Sequence, residues 1–517
     1  MTYDRTDPLV HKSATELIHL LERREVSSEE VVRSHVDRAI TIEAKVTAFT
    51  ESLRGDALER ARAIDAARAR GDQVGPLAGV PVTFKENLDM VGHASTLGIA
   101  HRRSLRASSD AVVVQAVRRA GGVAVGRTNV PQLLLSHESR NPVFGATKNP
   151  WSAKHAPGGS SGGEAAALAT GLSALGVGTD IGGSIRVPAT WCGIAGFKPT
   201  LDRWSNRGSN GALVGQESIR SQVGPMARTA RDVALFFRAL DLEFMSSLDP
   251  FVAPVSRGPM PIRRVGFFVS DGLVAPSRAV ARAVNEAADA LRARGLEVVP
   301  FTPPNIESAI ALYFALMSSD GGATAEALVG SSPIEPLLEP LLRIAKMPNA
   351  AKQVLARGLS MMGEARSAFV LRNLGERSVA GLWKLTKAAR DYRLELLAAM
   401  EAARVDVMLC PAHATPAVPH TQSGQFLIAG SFSMLFNLVQ FPAGVVPVTT
   451  VHTEEASRSG GPTDRVEKTA ALVDQASAGL PVGVQVVGRP FSDETVLGLM
   501  VELEDRLKPL STPRMPS

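Results

Sequence analysis

Cysteine is almost absent from this chain. The 517 residues include two cysteines, Cys192 and Cys410, which lie far apart and belong to no C-x-x-C pair or other zinc-type spacing. This scarcity argues against a disulfide scaffold and against a metal site, and it fits a reduced compartment. We expect both thiols to be inert core residues, and we expect neither a metal ion nor a cofactor.

Long apolar runs are also lacking. The most hydrophobic stretch, 426–451, is broken by Asn437, Gln440 and Pro442, so it falls short of the roughly 20 apolar residues that cross a bilayer. The first ten residues carry two aspartates and no apolar segment, which argues against a secretory signal. These absences predict a cytoplasmic protein.

A large excess of one charge is missing as well. The formal net charge is +5, and only residues 343–377 are markedly basic. A small net charge without a recognisable binding motif predicts no binding of nucleic acid. With 45% hydrophobic and 21% charged residues, the composition is that of a folded globular protein rather than a disordered chain.

The spacing of apolar residues predicts an α/β fold that begins with helices. Residues 10–70 are expected to be helical, since Ser13 with Glu16 and Ser27 with Glu30 both fit the capping box. Farther along, a short strand rich in β-branched residues is expected immediately before Lys85.

Strands and helices alternate over the rest of the chain. A strand is expected at 80–84, directly before Lys85, and residues 264–301 have the strand, helix and strand of a βαβ unit. Further strands are expected at 406–410, 445–451 and 482–487. Residues 453–468 are polar and are expected to form a surface loop. The expected strands are spread along the whole chain with helices between them. This arrangement predicts one domain over 1–517, with a large mixed β-sheet covered by helices on both faces.

Two short segments combine serine with glycine. Residues 158–163 have the sequence Gly-Gly-Ser-Ser-Gly-Gly, and residues 179–186 have Thr-Asp-Ile-Gly-Gly-Ser-Ile-Arg. In the second segment the glycines before Ser184 allow successive N–H groups to converge on one point, as in sites that hold an oxyanion. A structural glycine-rich turn fits an isolated segment of this kind equally well.

Two known glycine-rich motifs fit these segments poorly. A phosphate-binding loop would continue with Gly-Lys-Ser or Gly-Lys-Thr, which is missing here. Residues 158–163 satisfy the G-x-S-x-G pattern of a nucleophile elbow, but that motif follows a buried strand. Residues 149–157 contain two prolines and no strand pattern, so we discount the elbow.

Longer motifs carry a family resemblance. Residues 158–200 resemble the amidase signature of the Ser-cisSer-Lys hydrolases, and residues 79–87 (GVPVTFKEN) resemble their lysine motif. Within that family the chain is similar to the fatty acid amide hydrolases. The shared stretches are 128–132, 149–151, 224–228, 320–322 and 441–451. The resemblance implies an amidase-signature fold with its core at 79–230, without the amino-terminal membrane-spanning segment of the mammalian enzymes.

This resemblance implies a serine nucleophile that works without histidine. Ser184 would be the nucleophile, Ser160 the relay that follows a cis peptide bond, and Lys85 the base. A lysine accepts a proton only when it is neutral, so burial would have to lower the pKa of Lys85. The oxyanion hole would consist of the backbone N–H groups of Ile181, Gly182, Gly183 and Ser184. Supporting contacts would come from Ser161, Asp180 and Arg186.

A fatty acyl chain would need an apolar channel. The resemblance places Leu134, Leu135 and Met317 in that channel and adds Thr179 as a substrate contact. Core packing explains the three apolar residues equally well. At Ser318 the fatty acid amide hydrolases typically have an aromatic residue, so the preferred chain length stays open.

Residues 334–373, here called the cap segment, occupy the position of a membrane-binding cap in that family. Apolar residues recur at helical spacing, at Leu337, Leu338, Leu341, Leu342 and Ala345 and at Val354, Leu355, Leu359 and Met362. Lysine and arginine residues lie between them. Three interpretations remain open: helices on an anionic membrane, a helix pair packed on the core, or an oligomer interface such as that of a homodimer.

The leading hypothesis is a serine amidase that cleaves fatty acid amides such as N-acylethanolamines or primary fatty amides. One alternative keeps the mechanism but acts on aryl amides, carbamates or short acyl substrates. Another is the glutaminase subunit of a tRNA-dependent amidotransferase. A non-catalytic binding protein is a fourth, against which the intact Lys85, Ser160 and Ser184 argue. Neither His137 nor His155 fits a role in the family.

Overall fold

Eleven strands form one mixed β-sheet, in the order β1-β3-β2-β6-β8-β7-β12-β13-β11-β9-β10. The computed structural model describes residues 9–255, 258–458, 461–507 and 510. The first eight residues, within the region where the sequence predicts no secretory signal, lie outside this description. The expected large mixed sheet is confirmed.

The strands are short and most are buried. In chain order they are β1 (Phe49–Ser52), β2 (Pro81–Lys85), β3 (Val123–Thr128), β4 (Arg140–Asn141), β5 (Gly145–Ala146), β6 (Leu175–Asp180), β7 (Ala195–Lys198), β8 (Gln222–Ala227), β9 (Arg264–Phe267), β10 (Glu297–Pro300), β11 (Val407–Cys410), β12 (Ala443–Thr450) and β13 (Pro481–Gly488). Strands β4 and β5 pair with each other in a separate two-stranded ladder.

The first half of the α-helices comprises α1 (Ala14–Glu22), α2 (Ser28–Val46), α3 (Arg54–Arg70), α4 (Val112–Arg119), α5 (Gly162–Ala169), α6 (Arg186–Cys192), α7 (Ala230–Ala239), α8 (Leu242–Leu248) and α9 (Arg278–Ala293). The second half comprises α10 (Ile306–Met317), α11 (Ala323–Val329), α12 (Glu339–Lys346), α13 (Asn349–Met361), α14 (Ala365–Asn373), α15 (Val379–Ala402), α16 (Ser431–Leu438), α17 (Arg465–Ala476) and α18 (Asp493–Arg506). Short 3-10 helices occur at Leu9–His11, Ala100–Ser104, Gln132–Leu134, Ser423–Gln425, Leu427–Gly430 and Thr453–Glu455.

Helices cover both faces of the sheet. Successive residues of a strand point to opposite faces, and in β11 Leu409 joins one hydrophobic cluster while Met408 and Cys410 join another. The first cluster includes residues of α1, α4, α7, α9 and α18. The second includes residues of α10, α15, α16 and α17. Strands buried on both faces explain why β2, β6 and β13 contain no exposed position.

Strand direction brings the polar segments together. Strands β3, β2 and β6 run parallel to one another, and the carboxyl ends of parallel neighbours meet at the same edge of a sheet. Lys85 ends β2 and Asp180 ends β6. The lysine motif and the second serine-glycine segment therefore lie side by side, although they are far apart in sequence.

The local predictions can be compared element by element. Both capping boxes, at Ser13 and Ser27, are confirmed, and β9, α9 and β10 form the expected parallel βαβ unit. The loop predicted at 453–468 is wrong at its end. Helix α17 begins at Arg465 because Asp464 accepts a hydrogen bond from the backbone N–H of Glu467. Residues 459–460 of that loop lie outside the described residues.

The cap segment contains three helices, α12, α13 and α14, rather than the expected pair. Leu338 and Leu342 are buried, whereas Met361 is 88% exposed. The segment therefore combines side chains that face the protein with side chains that face away from it. Among the helices in the described ranges, none has the length and apolar content needed to cross a membrane.

Candidate active site

Lys85 lies at the centre of the site and is fully buried. Its Nζ is 2.6 Å from Ser160 Oγ, 2.8 Å from Thr179 Oγ1 and 3.3 Å from the Thr179 carbonyl oxygen. Burial lowers the pKa of Lys85 to about 7, and the negative charge of Asp180 opposes this effect. A substantial fraction of this amine is therefore neutral at physiological pH.

Ser160 follows a cis peptide bond from Gly159. The next residue, Ser161, donates its backbone N–H to the carbonyl oxygen of Ser184 at 3.0 Å. This hydrogen bond joins the two serine-glycine segments directly. Ser160 and Ser184 line the same cavity, and Ser160 is hydrogen-bonded to Lys85. In the described part of the chain, no hydrogen bond joins the Ser184 hydroxyl to either of these two side chains.

The loop around Ser184 depends on its glycines. Gly183 has a φ of +104°, which only glycine adopts readily. A Cβ atom on Gly182 would lie 2.4 Å from the hydroxyl oxygen of Tyr313, which donates to the Ile181 carbonyl oxygen at 3.2 Å. The tyrosine thus packs against the loop at a point where a larger residue would displace it.

The backbone N–H groups of this loop do not all point the same way. Gly183, which was expected in the oxyanion hole, donates its N–H to Asp180 Oδ1 at 2.9 Å. The N–H groups of Ile181, Gly182 and Ser184 meet no acceptor in the described part of the chain. Three of the four expected donors therefore remain available to a ligand.

A buried ion pair fixes this loop. The guanidinium of Arg186 makes two parallel bonds to Asp180, from Nε to Oδ2 at 3.0 Å and from Nη2 to Oδ1 at 2.8 Å. Both side chains are completely buried. Burial alone would raise the pKa of Asp180, but the charge and hydrogen bonds of Arg186 hold it well below its usual range. Asp180 therefore stays ionised and keeps its hydrogen bonds to the loop.

Glu164 was not singled out from the sequence, yet it lies beneath Lys85. It accepts hydrogen bonds from the hydroxyl groups of Thr83 and Thr128, the second at 2.7 Å. Burial raises the pKa of Glu164 to about 8. The carboxyl group is therefore largely protonated at neutral pH and adds little negative charge near the lysine. An acidic residue in an otherwise buried alanine-rich helix was the signal that could have revealed it.

A cavity of about 140 Å³ borders Ser184 and is here called the apolar cavity. The expected Leu134, Leu135 and Met317 line it, together with Leu341 and Leu342 of the cap segment. The cap segment thus forms part of the wall of the site. This placement agrees with the channel that the resemblance implied.

One histidine also lines the apolar cavity. His137 Nε2 is 3.2 Å from the carbonyl oxygen of Gly182, and burial lowers the pKa of the imidazole. A neutral His137 can donate this hydrogen bond and support the loop. His155 lines neither of the cavities that meet at Ser184. Ser318 lies in the wall and donates its hydroxyl to the Phe314 carbonyl oxygen at 2.7 Å.

A second cavity of about 400 Å³ also borders Ser184, shares Leu134, Leu135, Ile181 and Leu213 with the apolar cavity, and is here called the polar cavity. Ser160 and Thr179 line it, as do Arg102 and Arg220. Thr179, expected to contact substrate, lines this cavity, and its hydroxyl is 2.8 Å from Lys85 Nζ. The relay hydroxyl faces this cavity rather than the apolar one.

Comparison with known proteins identifies the family. The Amidase family profile matches residues 30–497. Fatty-acid amide hydrolase 1 of Sus scrofa is 37% identical over 505 residues, which cover 96% of this chain and 85% of that protein. Fatty acid amide hydrolase 1 of Caenorhabditis elegans is 33% identical, covering 94% of this chain and 86% of that protein.

A solved structure of a fatty acid amide hydrolase has the same fold. It matches with a TM-score of 0.84 and 26% sequence identity, covering 98% of this chain and 86% of the other. The similarity extends over nearly the whole molecule rather than over one motif. This chain belongs to the amidase signature family and is an amide hydrolase.

Proposed function

We propose that the protein is a serine amidase that hydrolyses fatty acid amides through a relay from Ser184 to Ser160 to Lys85. The observation that carries this proposal is the fully buried amine of Lys85, 2.6 Å from Ser160 Oγ. A lysine with a lowered pKa accepts a proton, and a hydroxyl group donates and accepts at once. No histidine is required.

The cycle begins when Ser184 Oγ attacks the amide carbonyl. Its proton passes to Ser160, whose own proton passes to Lys85. The negative charge that develops on the carbonyl oxygen is stabilised by the N–H groups of Ile181, Gly182 and Ser184. The relay then returns the proton to the leaving nitrogen, the C–N bond breaks, and water hydrolyses the ester that remains on Ser184.

The apolar cavity supports a fatty acyl group as the part of the substrate that Ser184 retains. Its wall is built mainly from leucine, methionine and aromatic side chains, and burying each methylene group of a chain contributes about 0.8 kcal/mol. A fatty acyl chain supplies many methylene groups for such a wall. N-acylethanolamines and primary fatty amides both meet this requirement.

We further propose that the cap segment touches an anionic membrane, from which such a substrate would enter. Four of its apolar side chains are more exposed than a packed helix would allow: Val354 at 68%, Leu355 at 44%, Met361 at 88% and Met362 at 69%. Basic residues lie on the same helices. Exposed apolar groups beside lysine and arginine favour the surface of a bilayer.

The proton relay is tested with the purified protein alone. We expect a fluorophosphonate to label Ser184, and we expect oleamide to be hydrolysed faster than glutamine. Lys85→Ala should lower kcat/KM for oleamide by roughly 1,000-fold or more and for methyl oleate by about tenfold, because an amide nitrogen leaves only when protonated. Paired rate measurements on the two substrates check this.

Circular dichroism of Lys85→Ala controls for loss of the fold. Equal and mild losses on the amide and the ester would contradict the relay. Glutamine turnover that requires added subunits would favour the amidotransferase alternative instead.

The pH dependence follows from the same lysine. Burial lowers the pKa of Lys85 to about 7, and the base works only in its neutral form, so activity should be lost as pH falls. We expect log kcat/KM for N-oleoylethanolamine to rise with a slope near one below about pH 7 and to level off above it. The substrate has no group that titrates in this range. A flat profile between about pH 5.5 and about pH 8.5 would contradict the assignment of the base.

The preferred length of the acyl chain should depend on the wall that the cap segment contributes to the apolar cavity. Ala345→Trp adds bulk at a residue that lines this cavity, so we expect kcat/KM for oleamide to fall at least about tenfold more than for hexanamide. Ala350→Trp, on the exposed side of α13, is the matched control and should leave the ratio unchanged. If Ala345→Trp lowers both rates equally, the cavity does not hold the distal part of the chain.

Membrane contact is tested by flotation with anionic liposomes at low salt. We expect the wild-type protein to float and the double variant Val354→Glu with Met361→Glu to stay in solution, because buried carboxylates oppose insertion. Ile40→Glu, at a side chain that is 67% exposed on α2, is the control. A wild-type protein that remains wholly in solution would contradict membrane contact, and sedimentation would then test whether a second copy covers these side chains.

A further inference from the structure

The two cavities that meet at Ser184 differ in charge. Among the described residues that form its wall, the apolar cavity has one carboxyl group, Asp320, and neither lysine nor arginine. The described wall of the polar cavity has two arginines, Arg102 and Arg220, and no carboxyl group. The part of a substrate that enters the polar cavity therefore meets positive charge.

The charge of Arg220 is already compensated. Its guanidinium forms a two-pronged ion pair with Asp202, and its Nε lies 3.4 Å from Glu217 Oε2. It also lies over the ring of Phe251, at 5.5 Å from the centroid. These contacts tie Arg220 to the fold and leave little of its charge for a ligand.

Arg102 has no such partner. Its Nε donates to the Ser95 carbonyl oxygen at 3.1 Å, and no carboxylate in the described chain lies within 4.0 Å of its guanidinium. The short 3-10 helix Ala100–Ser104 that carries it is anchored by a hydrogen bond from the His101 N–H to Ser332 Oγ at 3.2 Å. An uncompensated cation is thus held at the wall of the polar cavity.

Two other arginines of the same segment belong to a different cavity. Arg103 and Arg106 are exposed and line a separate cavity together with Glu51. Of the three arginines in this segment, Arg102 is therefore the one that brings positive charge to the polar cavity.

We propose that the leaving amine carries a carboxylate which binds Arg102, so that fatty acyl amino acids are substrates. This inference rests on the proposed function, because it takes the acyl group to lie in the apolar cavity. Guanidinium and carboxylate form the strongest kind of side-chain hydrogen bond, often through two parallel contacts. With the acyl group in the apolar cavity, the amine leaves toward the polar cavity, which has the unpaired cation in its wall and the larger volume.

The reaction is an ordinary hydrolysis and needs no further reactant. Ser184 Oγ forms an ester bond to the acyl carbon, and the C–N bond of the substrate breaks. The amino acid leaves with the proton that the relay returns to its nitrogen. Water then cleaves the ester, so one amide and one water give one fatty acid and one amino acid.

Other leaving groups suit the polar cavity less well. Ammonia from a primary amide would leave most of about 400 Å³ unused. A cationic amine would meet the uncompensated charge of Arg102 and no carboxylate in the described wall. Ethanolamine fits the volume but leaves the charge of Arg102 without a partner.

The test compares N-oleoylglycine with N-oleoylethanolamine, which have the same acyl chain and leaving groups of similar size. In Arg102→Gln we expect the ratio of kcat/KM for the glycine substrate to that for the ethanolamine substrate to fall about tenfold or more, chiefly through KM. Arg103→Gln removes the same charge one residue away and should change the ratio less than about twofold. In the wild-type protein, added salt should raise KM for N-oleoylglycine more than KM for N-oleoylethanolamine.

A charge reversal guards against a merely structural effect of the substitution. In Arg102→Glu the substrate preference should invert. We expect kcat/KM for N-oleoyl-ethylenediamine, which is cationic, to exceed kcat/KM for N-oleoylglycine. If the ethanolamine substrate is cleaved while the glycine substrate is not, or if neither Arg102 variant changes the ratio, this inference is overturned and the amidase proposal stands. If neither substrate is cleaved, both fail.

Discussion

The burial of one amine is the constraint on which the rest of this structure depends. Lys85 is excluded from water because it is the last residue of β2, which is buried on both faces and pairs in parallel with β6. Desolvation favours its neutral form, and only a neutral amine can take a proton from a hydroxyl group. The fold thus lowers the pKa of this amine before any substrate arrives, and in the proposed mechanism the amine is the base.

The acidic groups near Lys85 leave the amine able to be neutral. A free carboxylate beside Lys85 would raise the pKa of the amine, but the negative charge of each nearby acid is reduced in a different way. Asp180 is paired with Arg186 through two bonds, whereas burial leaves Glu164 largely protonated. One acid is neutralised by a partner and the other by desolvation. The same ion pair holds the loop that bears Ser184, so loop geometry and the pKa of the base depend on one feature.

The sequence predicts the mixed sheet because strand and helix patterns are encoded locally. The roles proposed for Lys85, Ser160 and Ser184 come instead from the resemblance of contiguous motifs to a known family. What the sequence does not predict depends on contacts across the fold. Glu164 matters because β2 passes over its helix, and Arg102 matters because a short 3-10 helix turns it toward a cavity that distant segments form. The direction of the Gly183 N–H is likewise decided by where Asp180 ends its strand. Helix α17 was missed although its capping residues were visible in the sequence, and strand β1 interrupts the segment 10–70 that was expected to be helical.

The division of the site at Ser184 implies an order of events in the proposed mechanism. Ser160 and Thr179 line the polar cavity and not the apolar one, so the relay faces the side from which the amine departs. Once the amine has left, the polar cavity is open to water, while the acyl chain still fills the apolar cavity. The attacking water then occupies the position of the lost nitrogen and gives its proton to the same relay. One hydroxyl and one lysine therefore serve both half-reactions because the acyl group never has to move.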